Sequence, residues 1–267
     1  MSFLDYGFMK HALFAICIIT PLFGILGTMI VNNRMAFFSD ALGHSALTGM
    51  AIGVVLGFTG TDLPMVLFAL VFALVLNHMK RRSNASTDTI ISVFSSLGTA
   101  VGLVVLSRGG NFSKYSALLV GDILSITGKE ICYLFTVLCI TFTFWLFCFN
   151  KLHVASVNKS LAKSKGIPVH LIEDLFAVLI AVIVMLSIKW VGILLINALL
   201  ILPVAAASNI AANMREYHLF SVILSMASGI IGLVLSFYLN AAAGPMIVIV
   251  AAVFFAVTFL AKPLFRS

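Results

Sequence analysis

Two side chains inside an otherwise apolar segment are the first candidates for chemistry. Asp40 and His44 lie four residues apart, a spacing that turns about 40° on a helix, so carboxylate and imidazole share one face. An oxygen and a nitrogen ligand on one face suit a divalent ion such as Zn²⁺ or Mn²⁺. Two ligands also bind weakly enough for the ion to leave again. The same spacing suits an Asp–His pair that only packs helices, and spacing alone leaves both interpretations open.

The same segment carries a stripe of small residues, Ser45, Gly49, Gly53 and Gly57, each four positions after the last. Small residues at this period let helix backbones approach closely in a membrane. The stripe therefore predicts helix packing on the face beside Asp40 and His44.

Five other polar residues are weaker candidates. Asp122 either lines a pathway or faces water, and Asn197 either lines a pore or bridges two helices through an amide hydrogen bond. His170, Glu173 and Asp174 have ligand-like spacing, but they also lie where a helix is expected to begin. Acids at that position complement the helix dipole without binding anything.

The composition indicates that these residues lie in a membrane-embedded protein. The chain of 267 residues is 62% hydrophobic and only 9% charged, whereas soluble domains carry about a quarter charged residues. Lipid offers the backbone no hydrogen-bond partner, so each apolar segment should be helical. We predict an all-α integral membrane protein, a polytopic helical bundle that forms a single transmembrane domain over residues 1–267. Nine apolar segments are candidate spans: 11–31, 40–58, 63–79, 88–107, 130–150, 171–188, 191–209, 218–239 and 244–262.

One segment makes the count of spans uncertain by one, and another is too short to count as a span. If residues 171–209 form one broken helix at Lys189–Trp190, eight spans remain instead of nine. The segment 113–126 is too short to cross, because about 20 helical residues are needed. It is predicted to be a short non-spanning helical segment held within the protein.

The basic residues set orientation rather than a nucleic-acid surface. The net charge is +7, but the lysines and arginines lie in short loops between apolar segments. That distribution is typical of membrane topology and excludes nucleic acid as the expected partner. If the spans alternate, most basic residues fall on one face, which predicts a cytoplasmic C-terminus and an external N-terminus.

The longest hydrophilic stretch, residues 151–170, is predicted to face the cytoplasm. Asn158 to Gly166 is expected to form a short surface helix that Gly166 ends, and Pro168 restarts the chain. Such a helix suits docking to a soluble partner, although a plain connecting loop would have the same composition. The chain contains neither the GxxxxGK[ST] phosphate loop nor an HExxH motif, so the sequence supports neither an ATP site of its own nor a zinc-dependent intramembrane protease.

Three stretches carry a resemblance that runs from about Phe8 to Phe265. The run RMAFFSDALGHSAL at Arg34–Leu47 is similar to the "RMA…D..SHS.L" signature of membrane subunits in the zinc/manganese/iron family of ABC importers. Val191–Ala207 and Ala162–Pro168 resemble two further stretches of that family.

The resemblance implies a subunit of the bacterial cytoplasmic membrane that conducts a metal ion inward. Its implied partners are cytoplasmic ATP-binding subunits, an extracellular metal-binding protein and a second, usually identical, membrane subunit. Asp40 and His44 match the family positions associated with the metal pathway. Ala162, Gly166 and Pro168 fall in the loop that would couple the subunit to its ATPase.

One stretch departs from the family pattern. Ser236–Gly244 aligns with a stretch that usually has Asp and then Pro before the glycine, but here Asn240 replaces the acid and no proline precedes Gly244. If this position lines the external mouth of the pathway, a neutral amide is a poorer partner for a dication.

The sequence thus predicts an ATP-driven importer subunit for zinc or manganese, with ferrous iron also compatible, and without a tightly bound cofactor. A secondary transporter driven by an ion gradient is the first alternative, and it would transport the ion without an ATPase. An intramembrane metalloenzyme built on Asp40 and His44 is the second. It would need a third ligand and a base, and the sequence supplies neither.

Overall fold

The structure is a computed structural model that describes residues 3–58, 60, 62–83, 85–108 and 121–265. Within these residues it consists of helices and their connections. Two short 3-10 helices cover Phe3–Asp5 and Ile123–Ser125. Ten α-helices follow in chain order: α1 Gly7–Asn32, α2 Ala36–Val55, α3 Asp62–Arg82, α4 Thr87–Arg108, α5 Gly128–Val157, α6 Lys159–Ser164, α7 Val169–Val191, α8 Ile193–Ile210, α9 Met214–Leu239 and α10 Ala243–Phe265.

The predicted class, a polytopic all-α membrane protein, is confirmed. Each of the nine apolar segments overlaps one of these helices. Among the described residues, seven helices are long and apolar enough to cross a membrane: α1, α3, α4, α5, α7, α9 and α10. The apolar part of α8, Leu195–Ile210, is shorter, and α2 is not among the seven. The count of eight or nine spans stays a prediction.

Two expectations about interruptions have different outcomes. A break was predicted near Lys189–Trp190, and it lies two residues later, at Gly192. The φ of Gly192 is 83°, which ends α7 and allows α8 to begin at the next residue. The predicted short segment at 113–126 lies outside the described residues up to position 120. Its described end contains the 3-10 helix Ile123–Ser125.

The chain divides into two compact units. The first contains residues 1–34, 120–147 and 190–267, and the second contains residues 35–119 and 148–189, as far as these are described. In the first unit, α1 packs against α8 and α9, and α10 packs against α8 and α9. Helices α5 and α7 each contribute residues to both units.

In the second unit, α2 packs against α3 on one side and α4 on the other. Two glycines of the predicted stripe, Gly49 and Gly53, make the contact with α3. A Cβ built on Gly49 would lie 3.0 Å from the Met65 Cα, and one built on Gly53 would lie 2.6 Å from the Pro64 ring. Because these positions lack side chains, α2 and α3 approach closely and leave the next face of α2 to its polar residues.

Candidate functional site

The second unit contains the polar pair that the spacing predicted. Asp40 and His44 lie on one face of α2, with 3.6 Å between the carboxylate Oδ1 and the imidazole Nε2. This distance is longer than a hydrogen bond. It is close to the roughly 3.4 Å that separates two ligands held about 2.0–2.2 Å from a tetrahedral ion. The side chains are 44% and 35% exposed, so both donor atoms are accessible.

Both residues open into a cavity of about 710 Å³ between α2 and α4. The wall opposite Asp40 and His44 carries one further carboxylate and four hydroxyls. The lining residues are Phe37, Asp40 and His44 from α2, and Asp88, Ile91, Ser92, Ser95, Ser96, Thr99, Ala100 and Leu103 from α4.

Close contacts fix the register of the two walls. The Thr48 hydroxyl donates a hydrogen bond to the Gly98 carbonyl. A Cβ on Gly98 would lie 3.5 Å from the Ser45 Cβ, and one on Gly102 would lie 2.7 Å from the Thr48 nitrogen. Residue numbers therefore rise together along both helices, so α2 and α4 are parallel. Their first turns lie at the same end of the cavity.

The sequence analysis missed the wall contributed by α4. Asp88, Ser92, Ser95, Ser96 and Thr99 follow one another at steps that keep them near one helix face. That periodicity, inside a segment interpreted only as an apolar span, was the available signal. The Thr99 hydroxyl donates to the Ser95 carbonyl at 2.8 Å, which leaves its oxygen lone pairs free to face a cation.

The donor set suits transient binding of a dication. The Asp40–His44 pair offers one carboxylate and one imidazole, and the opposite wall offers neutral hydroxyl oxygens and the Asp88 carboxylate. Groups of three or more His, Cys, Asp or Glu side chains that could hold a metal do not occur in the described part of the chain. Zn²⁺ and Mn²⁺ both accept imidazole and carboxylate, so the residues do not discriminate between them.

The hydrophilic stretch forms the predicted short helix, α6, with defined caps at both ends. The Asn158 side chain accepts hydrogen bonds from the Ser160 and Leu161 amides at 2.9 and 3.1 Å. At the other end, Gly166 adopts a φ of 72° and donates to the Lys163 carbonyl at 2.9 Å. Together with the Ile167–Ala162 bond of 3.1 Å, this is a Schellman motif, so the prediction that Gly166 ends the helix is confirmed.

The faces of α6 differ in a way that the sequence did not indicate. Ala162 is fully buried against Ala155 and Val169, so it holds α6 in position and offers no side chain to a partner. The neighbouring Leu161 is 48% exposed. Pro168 is also exposed, and its carbonyl accepts a hydrogen bond from Ile172 in the first turn of α7. The role of Ala162, Gly166 and Pro168 in ATPase coupling stays a prediction.

Polar contacts tie α7 to α6 and to α3. The Lys159 Nζ lies 2.7 Å from the Glu173 Oε1, and Arg81 pairs with Asp174. Asn77, which is only 5% exposed, donates through its Nδ2 to the Glu173 carbonyl at 3.2 Å and to the Asp174 Oδ1 at 3.0 Å. The acids at the start of α7 are thus engaged in ion pairs.

The remaining candidates lie in the first unit. Asp122 is exposed, and its carboxylate accepts the Leu124 amide at 3.1 Å, which caps a 3-10 turn. Asn197 is half-buried in α8. Asn240 is exposed at the end of α9 with a φ of 48°, in a second Schellman motif that includes the Ala241–Ser236 bond of 3.0 Å. Asparagine tolerates this left-handed conformation, which accounts for its presence. A pathway role for these three residues stays a prediction.

Comparison with known proteins gives a consistent family. The sequence model described as the ABC 3 transport family matches residues 5–262. A Haemophilus influenzae protein named high-affinity zinc uptake system membrane protein ZnuB is 31% identical, over 86% of this chain and 88% of the relative. A Streptococcus gordonii protein named manganese import system permease protein ScaB is 27% identical, over 97% and 93%.

A solved structure has the same fold along nearly the whole chain. The structure titled "PsaBC from Streptococcus pneumoniae in complex with Fab" matches with a TM-score of 0.84 and 27% identity, and the match covers 96% of this chain and 94% of that one. Because the family model spans nearly all of the sequence, the chain belongs to the ABC 3 transport family.

Proposed function

We propose that this chain is the membrane-spanning subunit of an ATP-driven importer that carries a divalent transition metal ion, zinc or manganese, into the cytoplasm. The observation that carries the proposal is the Asp40–His44 pair on the wall of a cavity of about 710 Å³. The names of the relatives, which refer to zinc uptake and manganese import, support the choice of ion.

The pair replaces part of the water shell of the ion. Two ligands bind too weakly to trap the ion at this position. One carboxylate and one imidazole fill half of a tetrahedral coordination sphere. A second copy of the chain would supply the same pair again, which is the physical reason for a homodimer. Ferrous iron has similar ligand preferences and is a third possible cargo.

Energy enters through α6 from a separate cytoplasmic ATPase subunit. The exposed Leu161 and the exposed lysines of this segment, Lys163 and Lys165, form the surface on which that subunit docks. The ion pair between Lys159 and Glu173 then passes the movement of α6 to α7. An extracellular binding protein delivers the ion to this subunit. The subunit lies in the bacterial cytoplasmic membrane, which the chain crosses eight or nine times.

The test is uptake of radiolabelled zinc and manganese by cells whose own importers are deleted and which express the complete transporter. Asp40→Asn and His44→Ala should each lower uptake at least about tenfold, because loss of a ligand leaves the ion partly desolvated and uncompensated. The matched control is His78→Ala, which removes an exposed imidazole that does not line the cavity.

Normal uptake by the Asp40 and His44 variants, at normal levels of the subunit in the membrane, would contradict the site. Purified subunit in liposomes separates the rival function. A gradient-driven transporter would move the ion without the ATPase, whereas the proposed importer would require both the ATPase and ATP.

A further inference from the structure

The cavity contains a carboxylate that the proposed site does not use. Asp88 lines the same wall as the α4 hydroxyls, in the first turn of its helix. We propose that Asp88 forms a second, separate binding position for the transported dication, on the cytoplasmic side of the Asp40–His44 pair. This inference rests on the proposed function and adds a step to it.

The register of α2 and α4 separates the two positions. Gly98 lies beside Ser45, and Asp88 precedes Gly98 by ten residues whereas Asp40 precedes Ser45 by five. At about 1.5 Å per residue, Asp88 lies about 7 Å further toward the first turns of the two helices. Two oxygen ligands of one ion lie within about 4.4 Å of each other, because each is about 2.2 Å from the metal. The two carboxylates therefore serve successive positions.

Hydroxyl oxygens line the α4 wall from the level of His44 to the level of Asp40, on the approach to Asp88. By the same register, Ser92 lies near the level of Asp40, and Ser95 and Ser96 lie between the levels of Asp40 and His44. Neutral oxygens can replace water molecules around a dication as it moves, without binding it as strongly as a charge would. The wall of α4 is thus suited to passing the ion toward Asp88.

The charge at this end of the cavity gives Asp88 a reason to be present. Helix α3 ends in Lys80, Arg81 and Arg82, and Lys80 interacts electrostatically with Glu173 and, more weakly, with Asp88. A dication that leaves past this basic end is repelled. A carboxylate at the cavity wall offsets the repulsion and attracts the ion away from Asp40 and His44.

Asp88 could also have a purely structural role at the start of α4, and the experiment must distinguish this role from ion binding. An acid in the first turn of a helix complements the helix dipole, whatever it faces. The Thr89 amide donates to the Ser86 hydroxyl at 3.2 Å, so Ser86 caps α4. Thr89→Glu would complete a capping box with Ser86 and would return a negative charge to the first turn. Thr89 does not line the cavity, so this charge would not face the ion.

The experiment measures the maximal rate and the apparent KM of zinc and manganese uptake by the complete transporter in cells. Asp88→Asn should lower the maximal rate about tenfold, which corresponds to about 1.4 kcal/mol in the barrier. The KM should change less than about twofold, because capture at Asp40 and His44 precedes the step at Asp88. Asp88→Glu should retain most of the rate, and Asp88→Asn combined with Thr89→Glu should stay as slow as Asp88→Asn.

Recovery of the rate in the Asp88→Asn, Thr89→Glu double variant would overturn the proposal, since a helix-dipole role would then explain the loss. A wild-type rate in Asp88→Asn would overturn it as well. Asp40→Asn and His44→Ala are measured beside these variants. If they transport normally, the proposed function fails at its own site. If they fail while Asp88→Asn transports normally, only the second position is refuted.

Discussion

The end of α6 offers a test of coupling that involves backbone strain alone. Gly166 has a φ of 72°, and no atom lies within 4 Å of a Cβ built on it. Gly166→Ala therefore adds no collision, only the cost of a left-handed conformation for an L-residue, about 1–2 kcal/mol. Because alanine also restricts the unfolded chain, the net cost should be about 1 kcal/mol.

That cost acts on a helix of only six residues. A change of about 1 kcal/mol lowers the ratio of the observed helix end to its alternative conformations roughly fivefold. If α6 transmits the ATPase stroke, Gly166→Ala should raise the ATP hydrolysed per ion transported several-fold in liposomes containing the complete transporter. Gly166→Asn should remain close to the wild type, because asparagine tolerates this conformation.

Gly57 provides the matched control. It follows α2 with a φ of 73°, and it too has no atom within 4 Å of a built Cβ. Gly57→Ala therefore imposes the same strain elsewhere in the chain, and it should lower thermal stability without changing the ATP-to-ion ratio. Equal ratios for the Gly57 and Gly166 variants would refute the reasoning, as would a defect in Gly166→Asn as large as that in Gly166→Ala.

Three further predictions concern packing, ion pairing and a helix cap. Gly27→Ala should destabilise the protein by about 1–3 kcal/mol in thermal unfolding, because the new Cβ collides with a backbone carbonyl of α8. The control Gly7→Ala should leave the stability unchanged, because its Cβ meets no atom within 4 Å. Lys159→Glu should lower ATP-driven uptake by up to about fivefold, as expected for a pair worth about 0.2–1 kcal/mol in which Lys159 is exposed and Glu173 is half-buried. Glu173→Lys in the same chain should restore uptake, and a double variant that stays impaired would contradict the link. Asn240→Ala should lower the melting temperature because of its φ of 48°, while Asn240→Gly should not; equal melting temperatures for both would refute the strain.

The helices could be predicted because lipid leaves the backbone few choices. An apolar run long enough to cross must satisfy its own hydrogen bonds, so all nine predicted segments are helical. The end of α6 was also predictable, since Gly166 marks a Schellman motif by its residue type. The break between α7 and α8 lies two residues after its predicted position, because the left-handed φ of Gly192, rather than the charge of Lys189, interrupts the helix.

Side-chain partners outside one helix could not be predicted in the same way. Asp40 and His44 share a helix, so their spacing alone brings them together. The hydroxyls of α4 gave no comparable signal, since Ser and Thr in helices commonly bond to their own backbone, as Thr99 does with Ser95. These hydroxyls line the cavity only because α4 packs against α2, and the sequence of α4 does not reveal this tertiary contact. The inward direction of Ala162 is likewise decided by contacts with α5 and α7.

The composition of α2 connects the fold to the proposed transport. Helix α2 is not among the seven helices counted above as long and apolar enough to span, and it carries polar and small residues along its length. Packing between α3 and α4 compensates, since glycines allow the close approach and the Ser39 and Ser45 hydroxyls bond to backbone carbonyls of the same helix. With most of its surface shielded from lipid by protein, α2 can place Asp40 and His44 on a cavity at a lower cost than an isolated helix would incur. Helix α2, packed between α3 and α4, is therefore well placed to line an ion path.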